Sequence, residues 1–296
     1  MKNLKKKIVL GTWSLSGDLG PVKTKHIYQL IDHSIKKGFK EFDIAPTYGF
    51  GKIDKLFSDF KKEKIKINTK IGYDENRKKN FSISVLSKSV NDSYNFHGKL
   101  NTVFLHNPRN EIKDWNKIID FMKDLKKQNI TRYVGISLAR DYFPEINILN
   151  EFDIIQDEIN ILRKGIFFNK KNKFKLMARS PLATGILSNK FNINSKFSKQ
   201  DYRYSWLRGR RKKIILSQVD SVKKIFGKNI TNTSYAYLLH NNNIEKIIFG
   251  FKDILQLENI FKIVSLKKLS KKKINSLLAL DKKNYLLEDK DIELLY

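Results

Sequence analysis

The feature that most constrains this chain is an alternation: eight short apolar, β-branched runs, each followed by a segment of helical character, repeat almost to its end. The strand-like runs are Lys7–Thr12, Glu41–Ala45, Lys64–Ile71, Asn101–His106, Arg132–Ser137, Asp153–Asn160, Phe174–Ser180 and Lys246–Gly250. Helical spacing is clearest over Thr24–Lys37, where Ile27, Leu30, Ile31 and Ile35 share one face. It recurs over Ser82–Asn95, Asp114–Gln128, Arg210–Phe226 and Asp253–Ile263. Thr24 and Asp114 suit N-caps, and Gly38 suits the left-handed position just past a helix end. Eight such units in roughly 250 residues predict an α/β fold of the (β/α)8 TIM-barrel type. An open doubly wound sheet alternates in the same way but announces itself with a Gly-rich turn after its first strand. The glycines of Gly11–Asp18 have the wrong spacing for that turn. One barrel domain is therefore expected over residues 1–296, with a long loop region around 188–210 and a C-terminal helical tail over 264–296.

Charge is the one property that points elsewhere. With 59 Lys+Arg against 30 Asp+Glu the formal charge is +29, the electrostatic footprint of a nucleic-acid binder. Only 10 of those cations are Arg, however, and Lys is scattered through nearly every helical segment. Readers of nucleic acid favour Arg and gather charge on one face, so solvated helix faces are the better reading and a nucleic-acid partner is not expected. The absence of Cys excludes a disulfide framework, a thiolate nucleophile and a Cys-based zinc site, and five His make a multi-His metal centre improbable. No apolar run approaches the roughly 18 residues of a membrane span, and the basic start is followed by only about four apolar residues. A soluble, cytoplasmic protein with no membrane partner and no metal is expected.

In a barrel of this kind chemistry sits at the C-terminal ends of the strands. Those ends carry Asp43, Tyr48 just beyond it, Lys70 and His106 on three consecutive strands. A phenol has an ordinary pKa of about 10, and a buried ammonium beside it pulls that value towards neutrality. A buried Lys itself needs a carboxylate, which Asp43 offers. A neutral His106 can donate an N–H to a carbonyl oxygen and hold it against the phenol. Such a set protonates an oxygen while hydride arrives at carbon, and since no side chain delivers hydride a nicotinamide cofactor is required. Singly, each residue also has a structural reading: Asp43 as a cap, His106 as a core histidine, Tyr48 as a half-buried ring, Lys70 as one Lys of many.

The segments Phe42–Gly49, Asn68–Lys70 and Phe104–Pro108 resemble the signature segments of the aldo-keto reductase superfamily, and the resemblance runs from about residue 7 to 260. It implies a (β/α)8 barrel that interconverts an aldehyde, ketone or sugar carbonyl and its alcohol with NADPH, NADH being possible. Asp43, Tyr48, Lys70 and His106 match the family's catalytic set, with Tyr48 as general acid in reduction and base in oxidation. Carried over the same way, Ser137 and Gln156 would hold the nicotinamide carboxamide, and Ser180 and Leu182 would meet the pyrophosphate. Gly250 and Lys252 fall in the segment after the last strand, where Lys252 would face a 2′-phosphate, and Gln256 and Asn259 would lie near the adenosine. Trp13 is a candidate wall of the substrate pocket, with Phe50 and Tyr73 as weaker candidates.

The chain departs from the family pattern in four respects. Leu138 stands where Asn is common, Phe249 replaces the usual Pro, and Gln256 and Asn259 are one residue too close. Arg179 occupies the place of an aromatic ring that stacks on the nicotinamide; a guanidinium also stacks, but its charge would favour the reduced, uncharged ring. The segment Asp201–Arg211 interleaves aromatic and basic residues, and reads either as a rim for an anionic or nucleotide-linked sugar or as a packed helix start. Two further functions remain open: a cofactor-binding barrel with little turnover, and a basic nucleic-acid-binding protein.

Overall fold

Eight strands supply the frame: β1 (Ile8–Gly11), β2 (Glu41–Asp43), β3 (Lys66–Ile71), β4 (Leu100–His106), β5 (Thr131–Ser137), β6 (Ile154–Glu158), β7 (Lys175–Arg179) and β8 (Ile244–Gly250). In the computed structural model each pairs in parallel with the next and β8 closes onto β1, which makes a complete (β/α)8 barrel. The structure describes residues 2–281 apart from 61–62, 141, 164–171 and 228. The sequence-expected strands all occur, with ends shifted by up to two residues. The helical tail expected over 264–296 is represented by one helix, and its part beyond 281 lies outside the described residues.

The helices are α1 (Lys2–Lys5), α2 (Thr24–Lys36), α3 (Lys52–Ser58), α4 (Ile83–His97), α5 (Trp115–Lys127), α6 (Ile146–Leu149), α7 (Tyr202–Trp206), α8 (Gly209–Phe226), α9 (Ile230–Leu239), α10 (Ile254–Lys262) and α11 (Lys271–Asp281). Asp114 does cap α5, accepting the Lys117 N–H at 3.2 Å. Gly38 has φ +78°, as a residue ending α2 requires. Thr24 is not a cap: α2 begins at Thr24 itself, and the preceding Lys23 makes no side-chain capping bond. Among the described helices of seven residues or more, two escape periodicity for different reasons. In α9 seven of ten residues are buried, so no polar stripe marks a face. In α3 only seven residues follow a Gly-rich turn, too few to show a period.

Strand alternation sorts side chains into two cores. Ile67 and Ile71 of β3, Val103 and Leu105 of β4, and Leu176 and Ala178 of β7 point outward into the large cluster under the helices. Val9, Phe104, Ile154, Met177 and Ile248 point inward and form a separate cluster inside the barrel. That interior is tight. A Cβ on Gly135 would lie 2.3 Å from the Ile154 carbonyl oxygen and 2.6 Å from the Phe104 ring, so β5 approaches β6 and Phe104 only because this position lacks a side chain. The same inward parity that places Phe104 places Lys70 and His106 above it, because each lies an even number of residues from an inward neighbour.

Candidate active site

Asp43 is the last residue of β2, Lys70 the last but one of β3 and His106 the last of β4. Tyr48 stands in the turn after β2, where its N–H donates to the Ala45 carbonyl at 2.9 Å. Parity brings three side chains from three strands, and the turn brings Tyr48, to one wall of the mouth. The Lys70 ammonium donates to Asp43 Oδ1 in a short contact and to the Ile44 carbonyl at 3.0 Å. Their side chains are 2% and 4% exposed, so water screens the pair little. Lys70 Nζ also lies 5.0 Å from the centre of the Tyr48 ring. The Tyr48 ring meets His106 edge-on at 6.4 Å, and Tyr73 packs on His106 at 5.1 Å. Tyr73 is therefore at the site, whereas Phe50 is 77% exposed and lies under the Arg77 guanidinium at 4.5 Å.

Proton affinities follow from these neighbours. Burial alone would discharge Lys70, but Asp43 and the Tyr48 hydroxyl outweigh it and hold the ammonium above its ordinary value. His106 is driven well below the ordinary imidazole range by burial, then by the cations of Lys70, Arg179 and Lys79; at neutral pH it is uncharged. The phenol of Tyr48 departs from the sequence expectation. Burial pushes it up, and the downward pull of Lys70 does not overcome burial together with the Asp43 carboxylate. The result is a phenol that keeps its proton at neutral pH, beside an ammonium able to stabilise the phenolate once the proton leaves.

The opposite wall comes from β5, β6 and β7. Ser137 Oγ donates to Gln156 Oε1 at 2.8 Å, and Gln156 Nε2 donates to Asp43 Oδ2 at 2.9 Å, so the expected carboxamide partners are linked to the Lys70 pair. Arg179 reaches across through Nη2 to the Leu138 carbonyl at 3.1 Å, while Nη1 lies 3.5 Å from Glu158 Oε2. The other Glu158 oxygen accepts from Arg140 Nη2 at 3.1 Å. Burial would raise the Glu158 carboxyl, but Arg140, Arg179 and Arg163 bring it below its usual range. The charge of Arg179 is thus paired, which sequence reading did not anticipate. Glu158 and Arg140 are the residues it missed; their only signal was position, two and three residues beyond Gln156 and Ser137.

The remaining expected residues are dispersed around the rim. Ser180 adopts φ +54° and its carbonyl accepts from Ala183, while the Leu182 carbonyl accepts from Gly185, both at 2.9 Å within one turn. Gly250 ends β8, with Ser14 Oγ 3.4 Å from where its Cβ would be. Lys252 Nζ donates to the carbonyls of Leu19 and Gly20 at 2.7 and 3.1 Å, so its ammonium ties down the loop after β1. Burial, then the Arg203 cation, lower its proton affinity against the pull of Asp201. Gln256 is occupied at the start of α10: Asp253 accepts its backbone N–H at 2.8 Å and its side-chain amide at 2.5 Å. Asn259 lies exposed farther along α10. Trp13 Nε1 donates to Asp18 at 2.8 Å, and its ring meets Tyr202 at 5.3 Å.

A flat, amide-bearing ring suits the space between the two walls. The Ser137–Gln156 pair offers a hydroxyl, an amide donor and an amide acceptor on one side. On the same wall, Nε of the planar Arg179 guanidinium is buried with no hydrogen-bond partner among the described residues. Among the described residues there is no cluster of His, Asp or Glu fit to hold a metal ion, and no helix long and apolar enough to cross a membrane.

The fold is shared widely. A glycerol dehydrogenase from Gluconobacter oxydans superposes with a TM-score of 0.76 at 20% identity, covering 93% of this chain and 91% of its own. An aldo-keto reductase from Bacillus halodurans in its holo form gives 0.72 at 17% identity, with the same coverage. In sequence, the chain is 23% identical to the uncharacterized oxidoreductase YqkF of Bacillus subtilis over 294 residues, 88% of each protein. The model of the Aldo/keto reductase family matches residues 7–282. With the closed barrel and this match over most of its length, the chain is an oxidoreductase that belongs to the aldo/keto reductase family.

Proposed function

We propose that the protein reduces the carbonyl group of a small aldehyde, ketone or sugar to the alcohol, using NADPH in preference to NADH, with Tyr48 as the proton donor. The observation that carries this reading is the convergence of a protonated phenol, a buried ammonium–carboxylate pair and an uncharged imidazole on one wall of the barrel mouth. Relatives in the family generally use NAD(P)H, and one structural neighbour is a glycerol dehydrogenase, which favours a small hydroxylated carbonyl compound.

Reduced nicotinamide, when bound against Ser137, Gln156 and Arg179, supplies a hydride. The protein's own residues do the rest. His106 donates an N–H to the carbonyl oxygen and turns it towards Tyr48. As negative charge grows on that oxygen, the Tyr48 hydroxyl gives up its proton. Lys70, held charged by Asp43, stabilises the phenolate left behind, so the proton leaves more readily than burial alone would allow. Lys252 is the cation assigned to the 2′-phosphate, with Arg203 near enough to influence its charge.

Replacing Tyr48 by Phe removes the donor and keeps the ring. A panel of carbonyl substrates should then show turnover lowered by about a thousandfold while cofactor affinity, read by fluorescence titration, stays within a small factor. Unchanged turnover in Tyr48→Phe would overturn the role given to the phenol.

A further inference from the structure

His106 carries the N–H assigned to the substrate oxygen, yet among the described residues its imidazole has ring contacts and no hydrogen-bond partner. The direction in which the ring faces is therefore set by packing. Tyr48 meets it edge-on at 6.4 Å, and Tyr73 lies closer, with ring centres 5.1 Å apart and planes at 61°. The proposed reaction uses Tyr48 and His106 but gives Tyr73 no part.

Tyr73 is anchored from two strands. It opens a hairpin between β3 and α4, where it pairs with Lys79 in an antiparallel bridge. Inside that hairpin the Asp74 N–H donates to the Lys78 carbonyl at 2.8 Å, and the Asn80 N–H donates to the Gly72 carbonyl at 2.9 Å. Gly72 has φ +115°, and a Cβ there would come within 2.4 Å of the Phe81 ring, so the turn into Tyr73 needs a bare backbone. Two side-chain contacts tie the hairpin to the loop that follows His106. The Asn107 amide donates to the Tyr73 hydroxyl, and Lys79 Nζ donates to Glu111 Oε1 at 3.2 Å. The Asn107 N–H in turn donates to the Ser137 carbonyl at 2.8 Å, which fixes that residue on β5.

We propose that Tyr73 is a positioning residue for carbonyl reduction: its ring locks the His106 imidazole in the orientation that presents an N–H to the substrate, and shields it from water. The proposal rests on the reductase reading above. An imidazole whose second nitrogen is unbonded is free to turn about its side-chain bonds, and a turned ring aims its donor away from the carbonyl. Contact with a braced aromatic ring removes that freedom. The same contact bears on charge. Burial is the largest cause holding the His106 imidazole well below its ordinary range, with the cations of Lys70, Arg179 and Lys79 next. Asp43 is bound to Lys70, the phenols of Tyr48 and Tyr73 complete the titratable groups around the ring, and Arg77, Arg109 and Glu111 act on Tyr73. Removing the Tyr73 ring admits water and relieves the first cause while leaving the cations, so proton affinity should rise part of the way back.

The chain has only five His, so NMR of protein with 15N-labelled histidine follows each imidazole separately, and His106→Asn identifies the signal by its loss. In the unaltered protein the His106 signal should not titrate through neutrality. In Tyr73→Ala its midpoint should rise by about one pH unit. In the same variant kcat for NADPH-dependent carbonyl reduction should fall about tenfold, with KM and NADPH affinity within about twofold. Tyr73→Phe keeps the ring and should return both readouts to within about twofold of the unaltered protein. Tyr73→Leu keeps apolar bulk should the alanine variant fold poorly, and its effects should lie between the two. An unmoved His106 signal in Tyr73→Ala and Tyr73→Leu would overturn the proposal, whatever happens to thermal stability. So would a Tyr73→Phe variant that loses as much as Tyr73→Ala, because the hydroxyl and Asn107 would then be acting in place of the ring. A shifted His106 signal in Tyr73→Ala, with no carbonyl reduced by the unaltered protein, would instead overturn the reductase reading and leave the contact standing.

Discussion

The two halves of the barrel mouth are built differently. On the β2–β4 side, Asp43, Lys70 and His106 are rooted in strands whose inward parity is set by hydrogen-bonded register, and only Tyr48 stands on a turn. On the β5–β8 side the outcome depends on longer side chains and loops: Arg179 bends to Leu138 and Glu158, and Lys252 reaches back to the loop after β1. A rigid frame carries the residues proposed to move a proton, where small displacements cost most. Adjustable side chains line the wall proposed to receive a large dinucleotide.

If that division is real, the most severe loss should come from the strand-borne side. Lys70→Met removes the ammonium that would stabilise phenolate and leaves Asp43 buried without its ionic partner. Turnover should fall by about a hundredfold or more. Stability in a denaturant titration should fall by about 3 kcal/mol, as expected for breaking a buried pair. A variant with full activity would show that the ammonium does not act on the phenol.

Residues of the β5–β8 side should give smaller, ligand-dependent effects. Lys252→Met should weaken NADPH by about tenfold while changing NADH little, as measured by cofactor fluorescence. Equal losses for both would mean that the ammonium acts through its bonds to Leu19 and Gly20 and not through a phosphate. Glu158→Gln leaves Arg140 and Arg179 without their shared anion. The exposed charge on Arg179 should then disfavour the cationic oxidised ring, raising the ratio of oxidised to reduced dissociation constants by roughly fivefold. An unchanged ratio would show that Arg179 does not lie against the nicotinamide.

The same division explains what could be read before any coordinates were known. All eight strands and the quartet of Asp43, Tyr48, Lys70 and His106 were legible because β-branched runs and strand-end positions are local signals that closure of the barrel turns into proximity. Glu158 and Arg140 were not legible: their pairing joins the end of β6 to the loop after β5, and nothing in either segment specifies the other. Gln256 was assigned to the adenosine by resemblance, yet its amide is bonded to Asp253 at the start of α10, a local capping bond that a motif match does not register. The direction of the Tyr48 shift was also misjudged, because the sequence names the cation beside the phenol but not how much water the fold removes. Helix α9 was missed because nearly every face of it is covered.

The central claim is that a protonated Tyr48 gives its proton to the substrate while His106 remains uncharged. The pH dependence of kcat/KM for carbonyl reduction tests it most directly. With the imidazole held well below 6.5 and the phenol raised above 10.0, the profile should be level through neutrality and fall only on the alkaline side, as Tyr48 loses its proton. The residual activity of Tyr48→Phe should lack that alkaline limb. A limb centred near the ordinary imidazole value in the unaltered protein, or an alkaline limb that survives in Tyr48→Phe, would contradict it.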